Sequence, residues 1–98
     1  MVSILKDAIQ RQNRLEIQYS LGRRVIEPHT LGRGRDGRLL LRAYQVSGVS
    51  ASGESAGWKL MHVDRIGGVP STSGSFDGPR SGYKTSDSVM VGGIIAEV

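Results

Sequence analysis

Residues 23–44 read RRVIEPHTLGRGRDGRLLLRAY and hold both the densest positive charge and the clearest extended pattern of the chain. The segment has six arginines against one glutamate and one aspartate, an excess of four that equals the net charge of the whole protein. Its first part is rich in β-branched and apolar residues, and Pro28 disfavours a helix. GRGRDG then places three glycines and an Asp-Gly pair between apolar runs, which predicts a β-hairpin.

The second strand of this hairpin separates its side chains into two faces, because successive residues of a strand point to opposite sides. One face is wholly apolar and consists of Leu39, Leu41 and Ala43. The other presents two guanidinium groups, a leucine and a phenol: Arg38, Leu40, Arg42 and Tyr44. The second face suits an anionic, partly aromatic ligand.

Length and composition narrow the class of protein. Ninety-eight residues suit one small domain, so residues 1–98 are assigned to a single unit. The chain has no cysteine and only two histidines, far apart in sequence, so neither a disulfide framework nor a metal site is predicted, and no cofactor is expected. No membrane span or cleavable leader is evident, which indicates a cytoplasmic protein. Thirteen basic against nine acidic residues favour phosphate-bearing partners.

The order of hydrophobic patterns predicts the fold. Apolar residues at helical spacing predict a short amphipathic helix over residues 2–13. Strict alternation in LEIQYS, residues 15–20, predicts a half-buried strand antiparallel to the next, and WKLMHVDRI, residues 58–66, predicts another. Residues 71–88 should cross the surface irregularly before a C-terminal strand over residues 89–98. The sum is a mostly β (α+β) protein: an N-terminal helix followed by a small five-stranded antiparallel barrel of the SH3 or Sm-like kind, with the barrel at about residues 15–70.

Residues 47–57, SGVSASGESAG, have almost no apolar content and three glycines. Such a segment buries too little surface to order strongly, so it is predicted to be a mobile hairpin loop. It is either a ligand flap or a tolerated surface insertion, and the sequence leaves both open.

Four elements resemble the WYL domain: IxY at 17–19, RVIEP at 24–28 with Leu31, GRLLL at 37–41 with Ala43-Tyr44, and KxMxVDRI at 59–66. The resemblance covers residues 4 to about 70. The family is a small Sm-like β-barrel found in bacterial transcription regulators and in accessory proteins of CRISPR and other phage-defence systems. It implies a domain that senses a negatively charged ligand, with single-stranded DNA or RNA and nucleotide second messengers as the known classes.

The sequence also departs from the family pattern. The tripeptide that names the family appears as LLL at 39–41, and the usual arginine and phenylalanine of the fourth strand appear as Lys59 and Met61. Leu40 stands where the family has a tyrosine, so a possible stacking platform is absent. WYL regulators usually carry an N-terminal helix-turn-helix, for which this sequence has no room, so a stand-alone module is expected.

We expect an anion-binding surface made of six residues: Arg24, Arg38, Arg42, Tyr44, Lys59 and Arg65. Arg38 and Arg42 have no acidic neighbour two residues away on their own face, which favours phosphate contact. Tyr44 shares their face and is placed to stack a base. Trp58 either caps the barrel or marks an interface.

Two of the six residues have a structural alternative. Arg24 and Arg65 are close in sequence to Glu27 and Asp64, and ion pairs with these carboxylates would neutralise them locally. An enzyme is not predicted, because no nucleophile motif is present and GRGRDG lacks the Lys-Ser/Thr ending of a phosphate loop and precedes a strand.

The leading hypothesis is a regulatory module that binds single-stranded nucleic acid or a nucleotide. The alternative is an adaptor that binds a protein effector by strand addition at a barrel edge. The apolar C-terminal strand has no further chain to cover it, so a homodimer through this strand is expected. Otherwise the strand closes the barrel of its own subunit.

Overall fold

A computed structural model describes residues 1–20, 22–49, 53 and 55–98. These residues form a mostly β structure with one N-terminal helix and an antiparallel sheet, as predicted. The elements are, in order: α1 (Val2–Arg11), β1 (Asn13–Tyr19), β2 (Gly22–Arg33), β3 (Leu39–Gly48), β4 (Gly57–His62), a one-turn 3₁₀ helix (Val63–Arg65), β5 (Ile66–Ser75) and β6 (Gly93–Glu97).

Helix α1 ends two residues earlier than predicted. Gln12 adopts the left-handed conformation, with φ 54° and ψ 48°, and its backbone N–H caps the carbonyls of Ala8 and Ile9. The helix packs on β1, β2, β5 and β6, and its apolar stripe of Leu5, Ala8 and Ile9 is buried in the core. The sheet contributes the other large core side chains: Leu15, Ile17, Tyr19, Ile26, Leu31, Leu41, Met61 and Ile66.

Strand β2 is the centre of the sheet. One of its edges pairs with β3, while the other pairs first with β1, over 22–26, and then with β6, over 30–33. The predicted hairpin between β2 and β3 is confirmed, closed by hydrogen bonds from Gly34 N to Arg38 O and from Gly37 N to Gly34 O, both 3.0 Å. The sheet order is β4-β3-β2-β1-β5, with β6 beside β2.

The strand count differs from the prediction. The expected strand over 58–66 stops at His62, a 3₁₀ turn follows, and the chain continues as β5 into a region predicted to be irregular. β5 reads IGGVPSTSGS and pairs with β1 at the edge of the sheet. Its glycines, proline and serines are uncommon in strand interiors, so the sequence did not predict a strand there. The described residues therefore form six strands in an open sheet, and a closed five-stranded barrel is not confirmed.

The C-terminal strand is shorter than predicted and belongs to the sheet of its own subunit. β6 begins at Gly93, pairs with β2 and buries Ala96, while Ile95 and Val98 pack against the core. The residues before it form a turn that buries Met90. The apolar residues of β6 are therefore covered by the same chain, so they do not require a second subunit. The homodimer stays a prediction.

The predicted mobile loop over 47–57 includes residues 50–52 and 54, which lie outside the described residues, so that prediction is untested. Within the described ranges, no helix combines the length and the apolar character needed to cross a membrane.

Candidate ligand-binding cleft

Residues 76–91, here called the strap, cross the face of β3 and β4 that points away from the core. The pairing of β3 with β4 sets Tyr44 opposite Trp58 and Arg42 opposite Leu60, so these side chains share that face. The indole N–H of Trp58 donates to the carbonyl of Ser81 at 2.9 Å. The face that the sequence assigns to ligand binding is therefore partly covered by the chain itself.

A buried carboxylate anchors the strap. Glu27 of β2 has no solvent exposure and accepts hydrogen bonds from Arg80 Nε at 2.6 Å, Arg80 Nη2 at 3.2 Å and Arg14 Nε at 2.7 Å. Burial opposes ionisation, but the bonds from Arg80 and Arg14 outweigh it and lower the pKa of Glu27 below its ordinary 4.5. The strap is thus tied to β2 by an ionised triad.

His29 reinforces this anchor as a neutral residue. Its Nε2 accepts the backbone N–H of Arg80 at 3.1 Å, so the ring proton resides on Nδ1, which lies 2.7 Å from the carbonyl of Glu27. Burial lowers the pKa of His29. Three aromatic rings surround it, with centroids 4.8–5.4 Å away: Trp58, Phe76 and Tyr83.

Between the sheet and the strap lies a cleft of about 280 Å³. Its walls combine aromatic, cationic, acidic and hydroxyl side chains: Arg42, Trp58, Tyr83, Lys84, Asp87 and Ser88. The rings of Trp58 and Tyr83 are close to parallel, at 24°, with centroids 6.4 Å apart. Two aromatic faces thus lie beside two cations in one small space.

Local backbone features position the strap wall of the cleft. At Gly82 (φ 90°) an added Cβ would lie 3.0 Å from Nε1 of Trp58, so the close approach of the strap to the indole requires glycine. Tyr83 is held by its N–H, which donates to Arg80 O at 3.1 Å, and by its hydroxyl, which donates to Val98 O at 3.2 Å. The tyrosine ring is therefore fixed beside Trp58.

An ion pair occupies one side of the cleft. Nε of Arg42 donates to Oδ2 of Asp87 at 2.8 Å, with the two side chains 29% and 12% exposed. Oδ1 of Asp87 accepts the N–H of Val89 at 3.1 Å. Burial would raise the pKa of Asp87, but Arg42, the Val89 N–H and nearby Lys84 together lower it. The cleft therefore contains a position that stabilises a negative charge.

The structure brings two of the six predicted residues together near this cleft. Arg42 lines it, and Tyr44 lies next to it, with its ring edge-on to Trp58 at 5.6 Å and the guanidinium of Arg80 4.5 Å from its centroid. The platform predicted at Tyr44 is thus already covered by a cation of the strap. The aromatic faces of the cleft itself come from Trp58 and Tyr83.

Arg24 lies elsewhere. It is 4% exposed, with its guanidinium 4.9 Å from the ring of Tyr19 and Nη1 3.3 Å from Oε1 of Gln45. The ion pair with Glu27 that the sequence left open is not formed, because Arg14 and Arg80 bind that carboxylate. Arg24 is not part of the cleft.

The remaining three predicted residues do not join the cleft either. Arg38 is exposed, with Nε 3.6 Å from Oδ2 of Asp36, and it lines a separate groove of about 450 Å³ with Asp64. Lys59 alternates with Trp58 along β4 and so lies towards the opposite face. Arg65 is exposed in the 3₁₀ turn. The six residues do not form one surface.

The expectation that Arg38 and Arg42 have no acidic neighbour two residues away on their own face fails for Arg38 and does not leave Arg42 unpaired. Asp36 comes from the hairpin turn, and Asp87 comes from the strap, forty-five residues after Arg42. Three further residues that line the cleft are not among the predicted site residues: Tyr83, Lys84 and Asp87. The signal for the strap was an aromatic residue and cations inside a Ser- and Gly-rich segment.

Among the residues that the structure describes, no group of three or more histidines and carboxylates is arranged to hold a metal ion. No family model, no curated protein and no solved structure matches the chain.

Proposed function

We propose that the chain is a ligand-sensing regulatory module that binds a nucleotide, or one nucleotide unit of a single-stranded nucleic acid, in the cleft between the sheet and the strap. The observation that carries the proposal is the meeting of the Trp58 and Tyr83 rings with Arg42 and Lys84. Stacking on an aromatic side chain contributes about 1–3 kcal/mol per base. Guanidinium and ammonium groups recognise phosphate by charge-assisted hydrogen bonds.

The size of the cleft supports a small ligand. At about 280 Å³ it lies just below the usual range of small-molecule sites, roughly 300–1,000 Å³, so only a small ligand fits. Such a space suits a single base with its phosphate, whereas a strand-binding groove tracks several nucleotides of backbone. A binding role rather than an enzymatic one is supported by His29, because both of its ring nitrogens are already engaged. Nε2 accepts the backbone N–H of Arg80 in the strap, and Nδ1 contacts the carbonyl of Glu27 in β2.

The resemblance to WYL domains supports a regulatory context, in transcription or in phage defence including CRISPR systems. The finer fold assignment belongs to the same proposal: the sheet is an opened Sm-like barrel. It is supported by the length of β2, which pairs along one edge with both β1 and β6.

The sole tryptophan of the chain, Trp58, supplies the assay. Titration with AMP should quench its fluorescence, and the affinity should fall as salt increases, because phosphate contacts are electrostatic. Arg42→Gln should weaken AMP binding about tenfold, as expected for loss of a hydrogen bond to a charged group. Arg65→Gln is the matched control, since it removes the same charge from an exposed site outside the cleft.

Two results would contradict the proposal. One is no response to AMP or to short single-stranded DNA and RNA at low salt. The other is an equal loss of affinity in Arg42→Gln and Arg65→Gln, which would mean that only the overall charge matters.

A second candidate function is a protein adaptor, and one observation favours it. β4 pairs with β3 along one edge, and beside it lies a groove of about 590 Å³ lined by the apolar residues Leu40, Leu60, Val89 and Val91. Leu60 and Val91 are exposed. An extended peptide added to β4 would place side chains in this groove. Recovery of a stoichiometric protein partner after nuclease treatment would favour the adaptor over the nucleotide sensor.

A further inference from the structure

We propose that Asp87 is a built-in competitor for the ligand: its carboxylate occupies the position that a phosphate group takes on Arg42, so binding must displace it. This inference rests on the proposed function of the cleft and adds a regulatory feature and a narrower ligand class. It follows from the contacts of Asp87, from the way its turn is held and from the charge that a competing anion must carry.

The contacts of Asp87 are those of a bound anion. One oxygen accepts from the guanidinium of Arg42 at 2.8 Å and the other from the backbone N–H of Val89 at 3.1 Å. Lys84 lines the same cleft. A guanidinium, a backbone N–H and an ammonium are also the donors by which proteins hold phosphate.

The carboxylate is supplied by a short turn that is separate from the sheet ladder. Met90 N–H donates to Asp87 O at 3.0 Å, and Ser86 N–H donates to Oε2 of Glu97 at 3.1 Å. Ser86 has φ 52°, a left-handed conformation unfavourable for serine, so a rearrangement of the turn would relieve backbone strain.

The anchor of the strap lies at a different place. Arg80 is bound to Glu27, and Ser81 is bound to Trp58, both before the turn that carries Asp87. The carboxylate can therefore leave Arg42 while the part of the strap that forms the aromatic wall stays in place.

Competition with Asp87 selects for charge. A neutral nucleoside carries no negative charge that could replace the carboxylate of Asp87 on Arg42. A backbone phosphodiester carries one negative charge, as the carboxylate does, and gains little from the exchange. A terminal phosphate monoester carries about 1.5 to 2 negative charges at pH 7, so it binds Arg42 more strongly than the carboxylate does and displaces it. The ligand class is therefore a nucleoside with a terminal phosphate.

The test compares Asp87→Asn with Asp77→Asn in titrations with AMP and with adenosine, followed by Trp58 fluorescence. Asp77 is an exposed carboxylate of the same strap, so its substitution changes the net charge equally without touching Arg42. Asp87→Asn should bind AMP about fivefold more tightly than the wild type, as expected for removal of a partly exposed ion pair. Its affinity for adenosine should stay unchanged, because adenosine does not compete for Arg42.

A second variant covers the case in which Asp87→Asn does not fold. Asp87→Ser removes the charge but keeps a hydroxyl that can accept the N–H of Val89, so the turn is preserved. It should show the same gain for AMP.

The outcomes separate this inference from the function on which it rests. If the wild type binds AMP and the Asp87 variants bind it no more tightly than Asp77→Asn does, the inference is overturned while the proposed function stands. An equal gain for adenosine also overturns it, since the effect would then be a wider cleft. If neither the wild type nor any variant responds to AMP or to short single-stranded DNA and RNA, the proposed function fails and this inference fails with it.

Discussion

Replacement of Glu27 by glutamine should destabilise the fold more than the loss of any single exposed ion pair would. The carboxylate is fully buried and accepts three hydrogen bonds from arginines, at 2.6, 2.7 and 3.2 Å. Glutamine has nearly the same shape, but it carries no charge, and its amide group places N–H donors against donors. The substitution therefore removes the electrostatic part of the anchor without opening a cavity.

The magnitude follows from the partners. Hydrogen bonds to charged groups contribute about 1.5–3 kcal/mol each. The side chains of Arg14 and Arg80 are 35% and 40% exposed, so water compensates part of the loss. We expect a net decrease of about 2 kcal/mol in the free energy of unfolding. For a domain of this size, that lowers the melting temperature by roughly 10 °C.

The assay is thermal unfolding followed by circular dichroism across a range of pH. The folded-state pKa of Glu27 is below its ordinary value of 4.5, so the triad stabilises the fold above that pH and loses its contribution as the pH falls through the lowered pKa. The difference between the wild type and Glu27→Gln should therefore be largest near neutral pH and shrink in acid.

Asp7→Asn is the control, because it breaks an ion pair with Arg11 that is exposed on both sides and changes the charge by the same amount. Its melting temperature should stay close to that of the wild type. Equal melting temperatures for Glu27→Gln and the wild type would refute the reasoning, since they would mean that burying the carboxylate costs as much as its arginines return.

Two further predictions concern acid sensitivity and close packing. His29 has a lowered pKa in the folded state, so the unfolded state binds more protons and stability should decrease as the pH falls below about 6.5. Melting curves of His29→Asn should lose this slope, whereas His62→Asn should retain it. Gly32→Ala should lower stability by about 1–3 kcal/mol in urea unfolding, because the new Cβ would meet the carbonyl of Gly93 at 2.6 Å. Gly67→Ala, with its nearest neighbour at 3.7 Å, should change stability far less, and similar losses for both would show that packing beside β6 is not the cause.

Local patterns predicted most of the sheet. Alternation in LEIQYS placed Leu15, Ile17 and Tyr19 on a buried face, and glycine-rich turn chemistry located the β2–β3 hairpin. β5 was not predicted, because an edge strand needs only backbone pairing and the small polar residues of β5 show no hydrophobic periodicity. A strand held mainly by its backbone leaves little trace in the sequence.

The candidate site was only partly predictable for a related reason. Alternation along β3 placed Arg42 and Tyr44 on one face, which is correct, since both depend only on the strand they occupy. Asp87 approaches Arg42 because the strap folds back over that face, and no periodicity in the strap encodes that path. The burial of Arg24 and Glu27 depends in the same way on contacts far along the chain.

Under the proposed function, the polar anchoring of the strap links the stability of the fold to ligand binding. The strap contains few apolar side chains, of which Phe76 and Met90 are buried, so hydrophobic burial alone cannot fix its position. The Glu27–Arg80 pair supplies a directional contact instead.

One wall of the cleft belongs to the sheet and the other to this strap. The apparent affinity for a ligand is therefore the intrinsic affinity multiplied by the fraction of molecules in which the strap is docked. Conditions that loosen the triad should weaken the aromatic wall beside Trp58, whereas loss of the Asp87 contact should free Arg42 and leave that wall in place.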